Sequence, residues 1–146
     1  MFLSQFKHNL DDKGRLTVPS KYRDALLQNG AYLMLGLDQN LLLVTAPDFQ
    51  IISQSLNEMN LADVNARTLR RLIFSTAERA DLDRAGRILI SPFLRQLAGI
   101  QEEVVIVGSG DVVELWSPTH WQEQMAQLQD VHANNERFAA LNIRLR

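Results

Sequence analysis

Two arginines end the same short motif, Asp-x-x-Gly-Arg, which occurs once in each half of the chain. Arg15 ends the first copy and Arg87 ends the second. The motif predicts a turn, because glycine readily adopts the positive φ angles that other residues resist. An arginine at such a turn presents a planar fork of N–H donors that suits phosphate oxygens or the edge of a guanine. The predicted chemistry is recognition of an anion, and the candidate binding residues are Lys7, Lys13, Arg15, Arg84 and Arg87.

The aspartate and glycine of each motif have a structural interpretation. A turn aspartate commonly hydrogen-bonds the turn backbone or pairs with a nearby arginine, and an exposed pair contributes only about 0–1 kcal/mol. We therefore assign Asp11, Gly14, Asp83 and Gly86 to shaping the turns. The same interpretation is open for the two arginines, but both stand in basic segments, which favours binding.

Other reactive chemistries find little support in the sequence. The chain has no cysteine, which excludes thiolate nucleophiles, disulfides and cysteine-ligated metals, and its three histidines lie far apart. The stretch Asp81-x-Asp83-x-x-Gly86 lacks the further oxygen ligands of a calcium loop. No Gly-x-Ser-x-Gly motif marks a hydrolase. We expect no enzymatic activity, no metal or other cofactor, and no small-molecule substrate.

Charge is segregated along the chain, although the net charge is only −2. Residues 7–23 carry +3 and residues 67–95 carry +4, whereas residues 24–66 carry −5 and residues 96–136 carry −7. Such blocks can present a basic face to a polyanion while the remaining surface stays acidic. The pattern therefore favours a nucleic acid partner. A groove-binding helix at Arg67–Arg71 ranks second, because it lies outside the repeated unit and lacks a helix-turn-helix signature.

A shift of 72 residues superimposes the two motifs and much of the chain around them. The match continues without a gap over about 40 residues, and a single offset over that length indicates a tandem duplication. The matched pairs include Leu10 with Leu82, Leu16 with Ile88, Arg23 with Arg95, Leu33 with Val105 and Phe49 with Trp121.

Both copies predict the same order of elements. A short strand leads into a hairpin turn and a second strand leaves it, and then a helix, a β-hairpin and a second helix follow. Ser91-Pro92 is typical of a helix start, and Gly99 of a helix end. In the first copy, Tyr22, Ala25 and Leu26 recur at helical spacing and are predicted to form a core stripe.

Two segments lie outside the duplicated units. Residues 61–80 predict an amphipathic helix with Leu69 and Ile73 on its apolar face and Phe74 on its charged face. A partly exposed aromatic is the simple interpretation of Phe74, and a contact between subunits is the alternative. Residues 131–146 have a weak helical pattern and are predicted to fray.

The two motifs and their surroundings resemble a known family. The stretch from Asn9 to Pro19 is similar to the first signature of the bacterial MraZ proteins, and the stretch from Asp83 to Gly99 is similar to the second. The opening Met1-Phe2 and the segment Glu114-Leu115-Trp116 also resemble the family pattern. The resemblance extends to about residue 128.

The resemblance implies an α+β fold made of two AbrB/SpoVT-like swapped-hairpin units, placed at residues 5–52 and 81–124. These would form a pseudo-two-fold, β-barrel-like core with flanking helices. It also implies ring-shaped oligomers that bind double-stranded DNA at promoter repeats and control the division and cell-wall gene cluster. No apolar stretch is long enough for a membrane helix, so we expect a cytoplasmic, nucleoid-associated protein. The alternative is an antitoxin-like module that binds a protein partner through its duplicated surface.

Overall fold

The two halves of the chain fold into the same succession of elements, and the computed structural model describes residues 1–143. The first half contains β1 (Gln5–Asn9), β2 (Arg15–Thr17), α1 (Ser20–Asn29), β3 (Ala31–Leu35), β4 (Leu41–Thr45), α2 (Ala46–Asn57) and α3 (Val64–Thr76). The second half contains β5 (Glu78–Arg79), β6 (Arg87–Leu89), α4 (Pro92–Ala98), β7 (Glu103–Ser109), β8 (Val112–Trp116), α5 (Pro118–Leu128) and α6 (Val131–Phe138). The predicted α+β class is confirmed.

Strand pairing joins the two halves. The main sheet is antiparallel, with six strands in the order β1-β7-β8-β4-β3-β5. In it, β1 of the first half lies beside β7 of the second, and β5 of the second half lies beside β3 of the first. The strands β2 and β6 form a separate two-stranded sheet in which Leu16 lies opposite Ile88. Each half therefore completes the sheets of the other.

The strands on either side of each basic turn do not pair with each other, which corrects the prediction of local hairpin turns. The first of them, β1, pairs with β7, whereas β2 pairs with β6. The reason is burial: Leu16 and Ile88 are almost fully inaccessible to solvent, in one core cluster with residues of both halves. Pairing between β2 and β6 places both side chains in that shared core.

Alternation along the strands divides the buried side chains between the two faces of the main sheet. In β3, Leu33 packs in the cluster that contains Leu16, Tyr22 and Leu94, contributed by β2, α1 and α4. The next residue, Met34, packs in a second cluster with side chains of α2 and α3. The β2–β6 pair, α1 and α4 thus cover one face of the sheet, and α2 and α3 cover part of the other.

Local chemistry sets the helix boundaries. The hydroxyl of Ser91 accepts a hydrogen bond from the Leu94 N–H at the start of α4, and Pro92 occupies the first turn. Gly99 ends that helix in the left-handed region, at φ 68°. The predicted start and end of α4 are confirmed. The helix α1 differs, because its N-cap is Pro19 and no side chain caps it.

The predicted core stripe of the repeated helix is narrower in the structure. Ala25 and its counterpart Leu97 are exposed, which corrects the prediction that they belong to the core. Only residues four apart turn inwards, because each helix meets the core along one edge. The buried pairs are Tyr22 with Leu26 and Leu94 with Ala98.

The match between the two halves slips by one residue in the β-hairpins. Leu43 and Leu115, which are 72 residues apart, both face the shared core. Leu33 pairs with Leu43, whereas Ile106 pairs with Leu115. Leu33 is therefore equivalent to Ile106 and not to Val105. The cause is loop length, since five residues join β3 to β4 and only two join β7 to β8.

The two segments outside the duplicated units form helices. In α3, Ile73 and Thr76 are buried, whereas Phe74 is 37% exposed, as the simple interpretation predicts. The tail contains α6, which buries no residue. The final positions of the predicted tail, 144–146, lie outside the described residues.

Adjacent leucines on α1 test the division between core and surface. Leu26→Ala should lower the free energy of unfolding by about 2–5 kcal/mol, because it opens a cavity at a fully buried site. Leu27→Ala should change it by less than about 0.5 kcal/mol, because that side chain is exposed. Urea denaturation followed by circular dichroism measures both. Equal losses would contradict the assignment.

Candidate nucleic-acid interface

The two Asp-x-x-Gly-Arg turns lie side by side because β2 and β6 are paired. The Val18 N–H donates to the Gly86 carbonyl at 2.9 Å, and the Ile90 N–H donates to the Gly14 carbonyl at 3.0 Å. Each turn is thus bonded, through its glycine, to the strand that follows the other turn. The pseudo-symmetric arrangement places the two motif arginines on one surface.

One carboxylate organises each turn. In the first turn, Asp11 Oδ1 accepts hydrogen bonds from the N–H groups of Lys13 and Arg15, at 3.0 and 2.8 Å. Its Oδ2 accepts from Arg15 Nε at 2.7 Å. In the second turn, Asp83 binds the N–H groups of Ala85 and Arg87 and the Arg87 Nε, all at 2.9 Å. The geometry agrees with the structural assignment of both aspartates.

These contacts change the acidity of the aspartates. The backbone N–H of Arg15 is the main cause that lowers the pKa of Asp11, and the Arg15 guanidinium and the Lys13 N–H act in the same direction. The pKa of Asp83 is lowered in the same way, chiefly by the Arg87 N–H. Both turns therefore hold their carboxylates in the ionised form.

The two motif arginines have different electrostatic surroundings. Arg15 forms an ion pair with Asp11 alone, whereas Arg87 lies 2.9 Å from Asp83 and 3.7 Å from Asp11. About a third of each side chain is exposed. Within residues 1–143, the Nη atoms of Arg15 have no hydrogen-bond partner, so they stay available to a ligand. Arg87 is the more neutralised of the two.

Two further arginines, which the sequence analysis paired by the repeat but did not assign to the site, brace the turns. Arg23 Nε donates to the Val18 carbonyl at 2.9 Å, and its guanidinium lies against Gly86 of the other half. Arg95 Nε donates to the Ile90 carbonyl at 3.1 Å, and its guanidinium lies against Gly14. The repeat match of Arg23 with Arg95 was the available signal, but their cross-half contacts depend on strand exchange.

The turn glycines are required by both conformation and space. Gly14 and Gly86 have φ angles of 82° and 76°, in the region that other residues rarely adopt. A Cβ on Gly86 would lie 2.5 Å from Arg23 Nε, and one on Gly14 would lie 3.0 Å from Arg95 Cζ. Both positions are therefore closed to a larger residue unless an arginine moves.

The remaining candidate residues divide between two surfaces. Lys13 and Arg84 are exposed within the turns, next to Arg15 and Arg87. Lys7 is not brought to the turns: it lines a groove with residues of β7 and α5, including Trp121. Its neighbour His8 instead bonds the Thr17 carbonyl of β2 through Nδ1, at 2.8 Å. Alternation along β1 thus directs Lys7 away from the arginine surface.

Metal and membrane sites were also sought in the described part of the chain. Residues 1–143 contain no group of three or more histidine, aspartate or glutamate side chains placed to hold a metal ion. None of the helices in this range combines the length and apolar character needed to cross a membrane.

Comparison with known proteins identifies the family. The family model described as "MraZ protein, putative antitoxin-like" matches the chain twice, at residues 1–72 and 73–142. The chain belongs to the MraZ family. Proteins with the name "Transcriptional regulator MraZ" are similar over most of their length: that of Thermomicrobium roseum is 40% identical over 85% of this chain and 87% of its own. Those of Enterobacter sp. strain 638 and Escherichia coli O127:H6 are each 39% identical over 99% of this chain and 97% of their own.

Two glycines with the same φ separate conformational strain from crowding. Gly86→Ala and Gly110→Ala should each lose about 1–2 kcal/mol of stability from the left-handed backbone, at φ 76° and 77°. Gly86→Ala should lose more, because Arg23 must also move, whereas nothing lies within 4 Å of a Cβ on Gly110. Thermal and urea unfolding measure the difference. Adding Arg23→Ala should remove the excess, and an excess that persists would contradict the contact.

The lowered pKa values of Asp11 and Asp83 predict a contribution to acid stability. A carboxyl with a folded pKa below its unfolded value, about 3.9, stabilises the protein above that pH. The contribution is lost as the pH falls through the folded pKa. The double variant Asp11→Asn, Asp83→Asn should therefore lose less stability than the wild type between about pH 4 and pH 2. Urea unfolding across this range measures it, and parallel curves would contradict it.

Proposed function

We propose that the chain is a DNA-binding transcriptional regulator that uses the paired turns to bind promoter repeats of the division and cell-wall gene cluster. One observation carries the proposal: strand exchange gathers Lys13, Arg15, Arg84 and Arg87 on one exposed surface of a chain whose net charge is −2. A local basic surface attracts the phosphates of DNA even when the whole protein is acidic. The relatives named transcriptional regulators support the same conclusion.

Arg15 is the residue that we assign to base recognition. Its Nη atoms are free of protein partners in the described structure, and it shares its single aspartate with Arg87. A guanidinium with free Nη donors can bind the O6 and N7 atoms of guanine together. Arg87, between two carboxylates, suits a weaker contact with a phosphate, as do the exposed Lys13 and Arg84.

The fold supports the finer part of the proposal as well. The exchange of β1 and β5 between the halves, together with the β2–β6 pair, is the pairing expected of two AbrB/SpoVT-like swapped-hairpin units at residues 5–52 and 81–124. One chain presents only two turns, and so few phosphate contacts. A closed ring of subunits on repeated DNA would add turns at a high effective concentration. Such a regulator would act in the cytoplasm, on the nucleoid.

The two motif arginines give the central test. Arg15→Ala should remove a base contact of about 1–3 kcal/mol per site and nearly abolish binding by an oligomer, because every subunit carries the change. Arg87→Ala should weaken binding less and keep the preference among sequences. Electrophoretic mobility shifts on the upstream DNA of the gene, at several salt concentrations, measure both effects, and wild-type affinity should fall steeply with salt.

Stability measurements separate this role from a structural one. Both variants should keep the oligomer size and nearly the melting temperature of the wild type, since an exposed ion pair stabilises little. Wild-type DNA affinity in Arg15→Ala, or a response to salt that is flat in the wild type, would refute the assignment. Truncating the DNA from several repeats to one should weaken binding far more than twofold, and equal affinity would exclude a multivalent ring.

A second candidate function is an antitoxin-like module that binds a protein. It is favoured by Phe74, which is partly exposed on the same helix as Arg67, Arg70 and Arg71. An exposed aromatic among arginines is typical of protein interfaces. Co-purification of a protein partner, with no shift of the upstream DNA, would select this function. A footprint on that DNA would select the first.

A further inference from the structure

The turn surface is divided into a polar half and an apolar half. In the first half of the chain, Thr17, Lys21 and Ala25 follow the turn arginine at intervals of two, four and four residues. The second half has Leu89, Phe93 and Leu97 at the equivalent positions, 72 residues later, and these side chains are 57%, 52% and 38% exposed. We call these three residues the second-half apolar patch.

The fold does not require this patch to be apolar. The first half forms the same strand and helix with polar or small residues at the three equivalent positions. Phe93 and Leu97 are four residues apart on α4, on its exposed side, and Leu89 shares a face of β6 with Arg87. A group of large apolar side chains that the core does not use is typical of a binding surface.

The C-terminal helix pair, α5 and α6, carries the other apolar group that the fold leaves uncovered. Neither helix buries a residue. Val131 and Phe138 are seven residues apart and so lie on one face of α6. The exposed apolar side chains of this segment are Leu128, Val131, Phe138, Leu141 and Ile143.

Charge complementarity selects the pairing of these surfaces. The second-half apolar patch follows a turn that carries Arg84 and Arg87. The helix pair carries Glu123, Asp130 and Glu136, and Arg137 is its one basic residue within the described range. Two patches facing each other would oppose arginines to arginines, whereas a patch facing the helix pair opposes arginines to carboxylates.

We propose that the second-half apolar patch of one chain binds the C-terminal helix pair of a second copy. The two contacting surfaces differ, so the contact is heterologous and leaves one free surface of each kind at the ends of any open chain of subunits. Repetition closes into a ring if the rotation permits. The inference rests on the proposed function only in naming the contact that would build its ring.

Exchanging the patch for the residues of the first half tests the proposal. Leu89→Thr, Phe93→Lys and Leu97→Ala together reproduce a surface that this fold already tolerates. Light scattering without DNA should give an oligomer for the wild type and a monomer for the triple variant, at concentrations at least tenfold above wild-type dissociation. Ile51→Lys, at another exposed apolar residue, is the control and should keep the wild-type mass. An unchanged mass for the triple variant, or a monomeric wild type, overturns the proposal.

A second variant tests the occupant. Val131→Gln with Phe138→Gln should also be monomeric, and mixing it with the patch variant should give heterodimers and nothing larger. That limit follows because the mixture retains one intact patch and one intact helix pair per pair of chains. An oligomeric helix-pair variant, or a mixture that stays monomeric, overturns the assignment of the second copy's helices. Circular dichroism must show that both variants are folded.

DNA binding separates this inference from the proposed function. The helix-pair variant retains Arg15 and both turns, so as a monomer it should bind a single-repeat duplex with the wild type's preference for that sequence over a scrambled one. Absence of any DNA binding by the wild type, with the mass changes as expected, would refute the proposed function and leave the contact standing. Sequence-specific binding with unchanged masses would do the reverse.

Discussion

The β2–β6 crossing is the contact on which the rest of the structure depends. It buries Leu16 and Ile88 against each other's half, and the N–H groups of Val18 and Ile90 donate across it to the turn glycines. Neither turn has these bonds within its own half. The basic surface therefore exists only when both halves have folded together. Covalent linkage of the halves helps, because the crossing is then intramolecular and does not depend on protein concentration.

Local features of the chain were predictable because they depend on neighbouring residues. The positive φ at Gly14 and Gly86, the helix start at Ser91 and the helix end at Gly99 all follow from conformational preference and capping. The exchange of strands was not predictable from the residues alone, since an apolar strand carries no record of its partner. The roles of Arg23 and Arg95 and the departure of Lys7 from the turn surface follow from that exchange.

Duplication has produced two halves with the same fold and different surroundings. In the first half, Tyr32 stacks on Phe49 with ring centroids 4.2 Å apart, and Arg79 lies over the Tyr32 ring. By strand register, Val105 and Lys7 occupy the equivalents of Tyr32 and Arg79, so the second half has an open groove beside Trp121. The backbone pairing is unaffected. Surface and peripheral packing can therefore diverge while the crossing is kept.

Electrostatics give the same asymmetry a functional direction. An aspartate that holds a turn arginine in place also reduces the positive charge offered to DNA, so each turn trades rigidity against attraction. Arg15 faces one such carboxylate and Arg87 faces two, because Asp11 reaches across the crossing. The first turn therefore keeps more of its charge for a ligand. Lys21 near the first turn and Phe93 near the second extend this difference along the helices. A chain with one charged and one apolar half of its turn surface is suited to binding DNA with the first and protein with the second.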